Sequence, residues 1–178
     1  PMSKSLFGKD RICAVVAAPT AREMLQQLRR ALKFTRTVEL RLDWLTSEDA
    51  QIDFLVCLPG KRPHPTMIAT CRRRVAGGRS TLDVYKQLAS LLHATLSEAS
   101  WCDVELETVE FFGPAYWRQH YLHRVPILVS FHEFKATPRN LRPIVLQLRR
   151  FRHNAIKIAT QCNSIADSLR VLALAKGK

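Results

Sequence analysis

No apolar run in these 178 residues approaches the roughly 20 that cross a bilayer, so no transmembrane helix is predicted. The opening stretch PMSKSLFGKD lacks the apolar core of a secretory signal, which predicts a chain that is not exported. Glycine is scarce, at six residues, and there is no low-complexity tract, which excludes collagen-like and disordered compositions. Neither a GxGxxG nor a GxxxxGK[ST] loop is present, so dinucleotide and P-loop phosphate binding both lack their motif. The five cysteines, Cys13, Cys57, Cys71, Cys102 and Cys162, are odd in number and widely spaced, with no CxxC pair. That speaks against a disulfide framework or a zinc site and for reduced thiols in the cytoplasm. Acidic residues are also in short supply, 15 against 28 Lys and Arg, leaving a net charge of +13.

What is present points to one ordered domain over residues 1–178, since 47% hydrophobic content is enough for a sizeable core. The positive charge suits either nucleic acid or a small anionic substrate. Arg29, Arg30, Arg72, Arg73, Arg74, Arg149, Arg150 and Arg152 are scattered over separate predicted elements, without a recognition motif or a stacking-aromatic pattern. The small anion is therefore the expected partner, and nucleic acid is disfavoured.

Segments of two periods alternate along the chain. Ile12–Ala18, Val38–Leu45, Thr66–Arg72, Trp101–Leu106, Val125–Phe134 and Ala155–Ala159 read as strands. Between them lie helical patterns. The first opens with a capping box at Thr20 and Glu23, the second runs over Ser47–Leu58 before Pro59-Gly60, and the third is predicted to be capped by Ser80. An aromatic helix runs through Tyr116 and Trp117. Another is predicted to start at Thr137-Pro138 with a kink at Pro143, and Ser164 caps the last, which ends at Lys176-Gly177-Lys178. Six strand–helix units in succession predict a parallel sheet with outer helices.

Sorting the strands by face exposes the chemistry. Glu39, Arg41 and Asp43 oppose Val38, Leu40 and Leu42; Thr70 and Arg72 oppose Ala69 and Cys71; Asp103 and Glu105 oppose Cys102 and Val104; Ser130 and His132 oppose Val129 and Phe131. Lys157 shares its face with Ala155 and Ala159 only. Helices must cover the apolar faces, so the polar ones converge on an interior, as at the mouth of a (β/α) barrel of the TIM type. A buried ammonium among small residues is predicted to lower its pKa and become a nucleophilic amine. With His132 expected near neutrality as acid and base, the set describes amine catalysis on an anionic carbonyl compound. Asp103 and Glu105 are expected to partner Arg41 and Arg72.

In order, ELRLD (39–43), IATCR followed by GG (68–78), DVELE (103–107), SFHEFKATP (130–138) and AIKIA (155–159) resemble the motifs of type I 3-dehydroquinate dehydratases. The resemblance implies that Lys157 forms an imine with the C3 ketone of 3-dehydroquinate, and that His132 removes the C2 proton and protonates the departing C1 hydroxyl. It implies that Glu39, Arg41 and Arg72 hold substrate, that Asp43, Asp103, Glu105 and Ser130 support them, and that neither a metal nor an organic cofactor takes part. Two departures matter. The family's usual glutamate before the double glycine is Ala76 here, and 178 residues fall below the roughly 200 of a closed eight-unit barrel. An incomplete barrel of about six units is therefore expected, with uncovered edges that predict a homodimer. The alternative is a non-catalytic relative that serves as a binding or assembly module.

Overall fold

The computed structural model describes residues 12–58, 60, 64–120, 126–151 and 153–175. The predictions made for PMSKSLFGKD, Pro59, Val125, Arg152 and Lys176-Gly177-Lys178 lie outside the described residues. Six strand–helix units alternate without exception: β1 (Ala14–Val16), α1 (Ala21–Ala31), β2 (Thr37–Arg41), α2 (Glu48–Val56), β3 (Thr66–Thr70), α3 (Val84–Leu96), β4 (Trp101–Glu105), α4 (Leu106–His120), β5 (Ile127–Glu133), α5 (Arg142–Arg149), β6 (Ala155–Thr160) and α6 (Ile165–Leu174). No helix among the described residues is long and apolar enough to cross a membrane.

All strands are parallel and lie in chain order, β1 beside β2 through to β6. That order decides where the site can be. Crossovers between parallel strands are right-handed, so a sheet whose order never reverses sends every helix to one side. A doubly wound sheet reverses and is covered on both sides; this one is not. The helix-facing side is the main core, built from Val38, Leu40, Ala69, Cys102, Val104, Ile127 and Val129 against Met24, Leu28, Phe54, Leu91, Trp117 and Leu148. The sheet curls around its other face as an arc of a (β/α) barrel, as the alternation predicts. β1 and β6 are its two edges.

Several local predictions are corrected. The α3 cap is Asp83, whose carboxylate accepts the Lys86 amide at 2.8 Å. Ser80 instead forms a bridge with Arg73, its amide donating to the Arg72 carbonyl at 3.1 Å. Thr137 starts no helix; its hydroxyl bonds Thr160 and the Gln161 carbonyl, while α5 begins at Arg142 with Pro143 in its first turn rather than at a kink. The break that does occur is at Gly113 in α4, where φ is 75°. Strand β2 ends at Arg41, and Leu42–Trp44 form a 3-10 turn.

Candidate active site

The base of the concave face is apolar. Ile68, Trp101 and Leu128 pack there with Cys13 and Ala155. Ile68, Trp101, Leu128 and Ala155 are each one same-face step toward the N-terminal end of the strand from a polar residue, so the interior becomes ionic on ascending toward the C-terminal strand ends. Register fixes the neighbours: Thr70 lies beside Asp103, Glu105 beside Ser130, and Ser130 beside Lys157.

The centre of the polar layer is Asp103, whose side chain is fully buried. Its two oxygens take three bonds. Arg72 donates at 2.9 Å and Lys157 at 3.1 Å to one oxygen, while the Ser130 hydroxyl donates at 2.5 Å to the other and itself accepts from Arg72 at 2.8 Å. Lys157 reaches across to both oxygens of Glu39, at 3.2 and 3.4 Å, and Thr70 donates to Glu39 at 2.9 Å. Glu105 is held by the backbone and side chain of Arg73, at 2.8 and 2.9 Å, with Arg72 3.9 Å away. Among the described residues no buried side-chain polar atom lacks a hydrogen bond. Burial of so much charge is tolerable only on that condition.

Glu39, Arg72, Asp103, Glu105, Ser130 and Lys157 are thus brought together as predicted. Arg41 is not paired with Asp103 or Glu105. It forks onto Asp43 at 2.9 and 2.8 Å, and Asp43 also accepts the Arg79 amide at 3.1 Å. The guanidinium of Arg79 lies 3.4 Å above the Trp44 ring, at the rim. Arg73 binds Glu105 because the strand has ended at Thr70 and alternation no longer decides where its side chain goes. Thr70 was placed on this face by alternation, without a role. No group of His, Cys, Asp and Glu among the described residues is arranged to hold a metal.

The protonation states differ from the expected ones. Burial pulls the Lys157 ammonium down, but Asp103 and Glu39 more than offset it and hold its pKa above 10.5. The alanines flanking Lys157 along its strand do not set its environment; carboxylates from two other strands do. His132 is shifted the other way, to about 4, first by burial and then by the positive charges of Arg72, Lys157 and Arg41, against a weaker pull from Asp103. The resting site at neutral pH is therefore a charged lysine below a neutral imidazole.

Burial alone would raise Asp103, yet Arg72, Lys157 and the Ser130 hydroxyl together hold its carboxyl below the ordinary 3.8. A carboxyl depressed in the folded state contributes stability that is complete above its unfolded pKa and is lost as pH falls through the folded one. Asp103→Asn should therefore flatten the acid limb of stability. Between about pH 4 and pH 2, the urea midpoint of the parent should fall faster than that of the variant. Equal slopes would show that Asp103 is not the group responsible.

Comparison with known proteins adds to this geometry. The family model described as type I 3-dehydroquinase matches residues 12–177. A 3-dehydroquinate dehydratase of Methanococcus vannielii is 30% identical over 162 residues, covering 90% of this chain and 72% of that protein. One from Coxiella burnetii is 27% identical over 166 residues, 91% of this chain and 66% of its own. Among solved structures, the type I 3-dehydroquinate dehydratase of Clostridium difficile superposes with a TM-score of 0.78 at 17% identity, over 90% of this chain and 67% of that one. The Geobacillus kaustophilus 3-dehydroquinate dehydratase also gives 0.78, at 23% identity, over 90% and 65%. At these identities the structural matches speak for the fold.

Proposed function

This chain belongs to the type I 3-dehydroquinase family, a family of hydro-lyases, and on that premise we propose that it converts 3-dehydroquinate to 3-dehydroshikimate and water through an imine on Lys157. The observation that carries the reading is the placement of Lys157 on the concave face. It is aimed by Asp103 and Glu39, with the neutral imidazole of His132 one same-face step above its neighbour Ser130.

The residues divide the work as follows. Lys157 rests protonated, so its amine becomes nucleophilic only after passing a proton to a nearby base, and His132 is neutral and able to take it. The free amine adds to the C3 carbonyl, and the imidazolium gives its proton to the carbinolamine hydroxyl, which leaves as water; this returns His132 to the neutral form and leaves the imine protonated. The protonated imine accepts the electron pair released when His132 takes the C2 proton. The resulting enamine expels the C1 hydroxyl as water, with the proton returned by the imidazolium. Hydrolysis of the imine then frees product and lysine. Glu39 and Arg72 are proposed to meet substrate hydroxyls, with Arg41, anchored by Asp43, at the same mouth. Asp103, Glu105 and Ser130 keep Arg72 and Lys157 in place.

Borohydride reduction in the presence of 3-dehydroquinate tests this directly. Intact mass and peptide mapping should find one ligand-sized adduct, on Lys157. Its absence from the folded protein, with a longer relative labelled in parallel, would favour the other reading, a non-catalytic relative that binds or assembles. Ala76 is the residue that speaks for that reading.

The proposal extends to the setting. One continuous six-stranded sheet supports treating residues 1–178 as a single domain. Five unpaired thiols support a cytoplasmic location. Helix α6 exposes Ile165, Leu169 and Leu172, and β1 and β6 are edge strands, which supports a homodimer joined through these surfaces. A monomer at micromolar concentration in sedimentation would overturn the dimer.

A further inference from the structure

His132 stands apart from its neighbours on the polar face. Glu39, Arg41, Arg72, Asp103, Glu105 and Lys157 are each tied down by hydrogen bonds of 2.8 to 3.4 Å. Among the described residues the His132 imidazole makes none. A ring on a single χ1–χ2 pair with no hydrogen bond can turn, and a base that turns is out of place for part of the time.

The contact His132 does have is aromatic. Phe134, just past the end of β5, lies with its ring centroid 6.0 Å away and its plane tilted by only 21°. Phe134 is itself backed. A Cβ at Gly77 would lie 2.3 and 2.4 Å from two carbons of the phenylalanine ring, so the bare Gly77 backbone abuts its edge. Gly77 ends the 3-10 turn Arg74–Ala76 at φ 76°, which a glycine adopts without strain. Gly78 lies against the backbone of Arg72, where a Cβ would come within 2.0 Å of the carbonyl oxygen. The loop is closed by Gly78 N–H to the Arg73 carbonyl at 2.9 Å and by Arg74 N–H to the Ser80 carbonyl at 2.9 Å. A line of close approaches thus runs from the Arg72 backbone through both glycines to the Phe134 ring, whose centroid is 6.0 Å from that of the imidazole.

We propose that Phe134, braced by Gly77, is the positioning residue for His132, fixing the plane of the imidazole and covering one side of it where no hydrogen-bond partner does. The assignment rests on the reading of His132 as the proton-transfer group. Phe134 is 58% exposed, so its ring adds little to the folded core and can be changed without disturbing it. The charges facing His132 are Arg41 from β2, Arg72 beyond β3, Asp103 from β4 and Lys157 from β6, and a change at Phe134 leaves all four in place.

The test is a pair of measurements on Phe134→Leu, with Phe134→Tyr as the variant that keeps the ring. Titration of the His132 Cε1–H by NMR, without substrate, should show Phe134→Leu moving up from about 4 toward the ordinary 6.5 as water reaches the ring, with Phe134→Tyr staying at the parent value. In the dehydration assay, Phe134→Leu should lose roughly tenfold to a hundredfold in kcat with KM little changed, and Phe134→Tyr should retain it. The same His132 titration in Phe134→Leu as in the parent overturns the proposal. If the parent shows no turnover, it is the dehydratase reading that fails, and the titration still decides the positioning role. Should Phe134→Leu lose its fold by circular dichroism, Phe134→Met takes its place in the titration.

Discussion

Lys157→Ala should end borohydride labelling by 3-dehydroquinate and lower kcat by roughly 10³-fold or more, because it removes the electron sink and not merely a favourable contact. The rest of the site has reason to survive the change. Asp103 keeps Arg72 and the Ser130 hydroxyl, and Glu39 keeps Thr70. The Lys157 side chain is 32% exposed, so its ion pairs are screened and their loss should cost only about 1 kcal/mol. The measurement is a dehydration assay beside a urea titration of the same preparation. Turnover within tenfold of the parent would remove Lys157 from the chemistry. A large fall in the urea midpoint would assign it a structural role instead.

Arg72→Ala should have the largest effect on stability. Arg72, Asp103 and Glu105 have side-chain exposures of 4%, 0% and 1%, and the arginine is the cation placed between the two carboxylates. Removing one partner of a buried ion pair costs about 3–5 kcal/mol, because the remaining charge stays in the interior without compensation. Lys157 remains on Asp103 and Arg73 on Glu105, which favours the lower end, about 3 kcal/mol. Against a total stability of roughly 5–15 kcal/mol, that is a severe loss. Arg41→Ala is the informative contrast. Arg41 is 22% exposed, and its partner Asp43 keeps the Arg79 amide, so the fall should be smaller. Equal urea midpoints for the parent and Arg72→Ala would mean that the Asp103–Glu105 pair is neutralised in some other way.

Much of the arrangement was legible from alternation alone. A sheet with one apolar and one ionic face writes its period of two plainly, and Trp101–Glu105 shows it as clearly as any stretch. Local capping was legible where the signal was self-contained: the Thr20 hydroxyl accepts the Glu23 amide at 3.3 Å, as the spacing predicts, and itself donates to the Glu23 carboxylate at 2.7 Å. Reading failed where a distant partner decided. The charge on Lys157 is set by residues 54 and 118 positions away, which no local pattern of small neighbours could reveal. Ser80 and Asp83 are both good caps, and the bridge from Ser80 to Arg73 settles the choice. Arg41 pairs within its own segment because the chain turns into a 3-10 helix at Leu42, bringing Asp43 back under the guanidinium. Ala76 and its glycines could be read as a loop, but not as the brace behind Phe134.

The unbroken strand order has a further consequence. Where every unit pairs only with its predecessor and successor, cohesion behaves much like that of a one-dimensional array, and the end members are held from one side. Strand β6 has no fully buried residue, and neither has α6, whereas all five residues of β4 are buried. Local opening should therefore begin at this end and reach β4 only with the whole domain. The proposed nucleophile is thus carried on the strand most ready to fray, and its ties to Glu39 and Asp103 fasten that strand across the interior to β2 and β4 as well as aiming the amine.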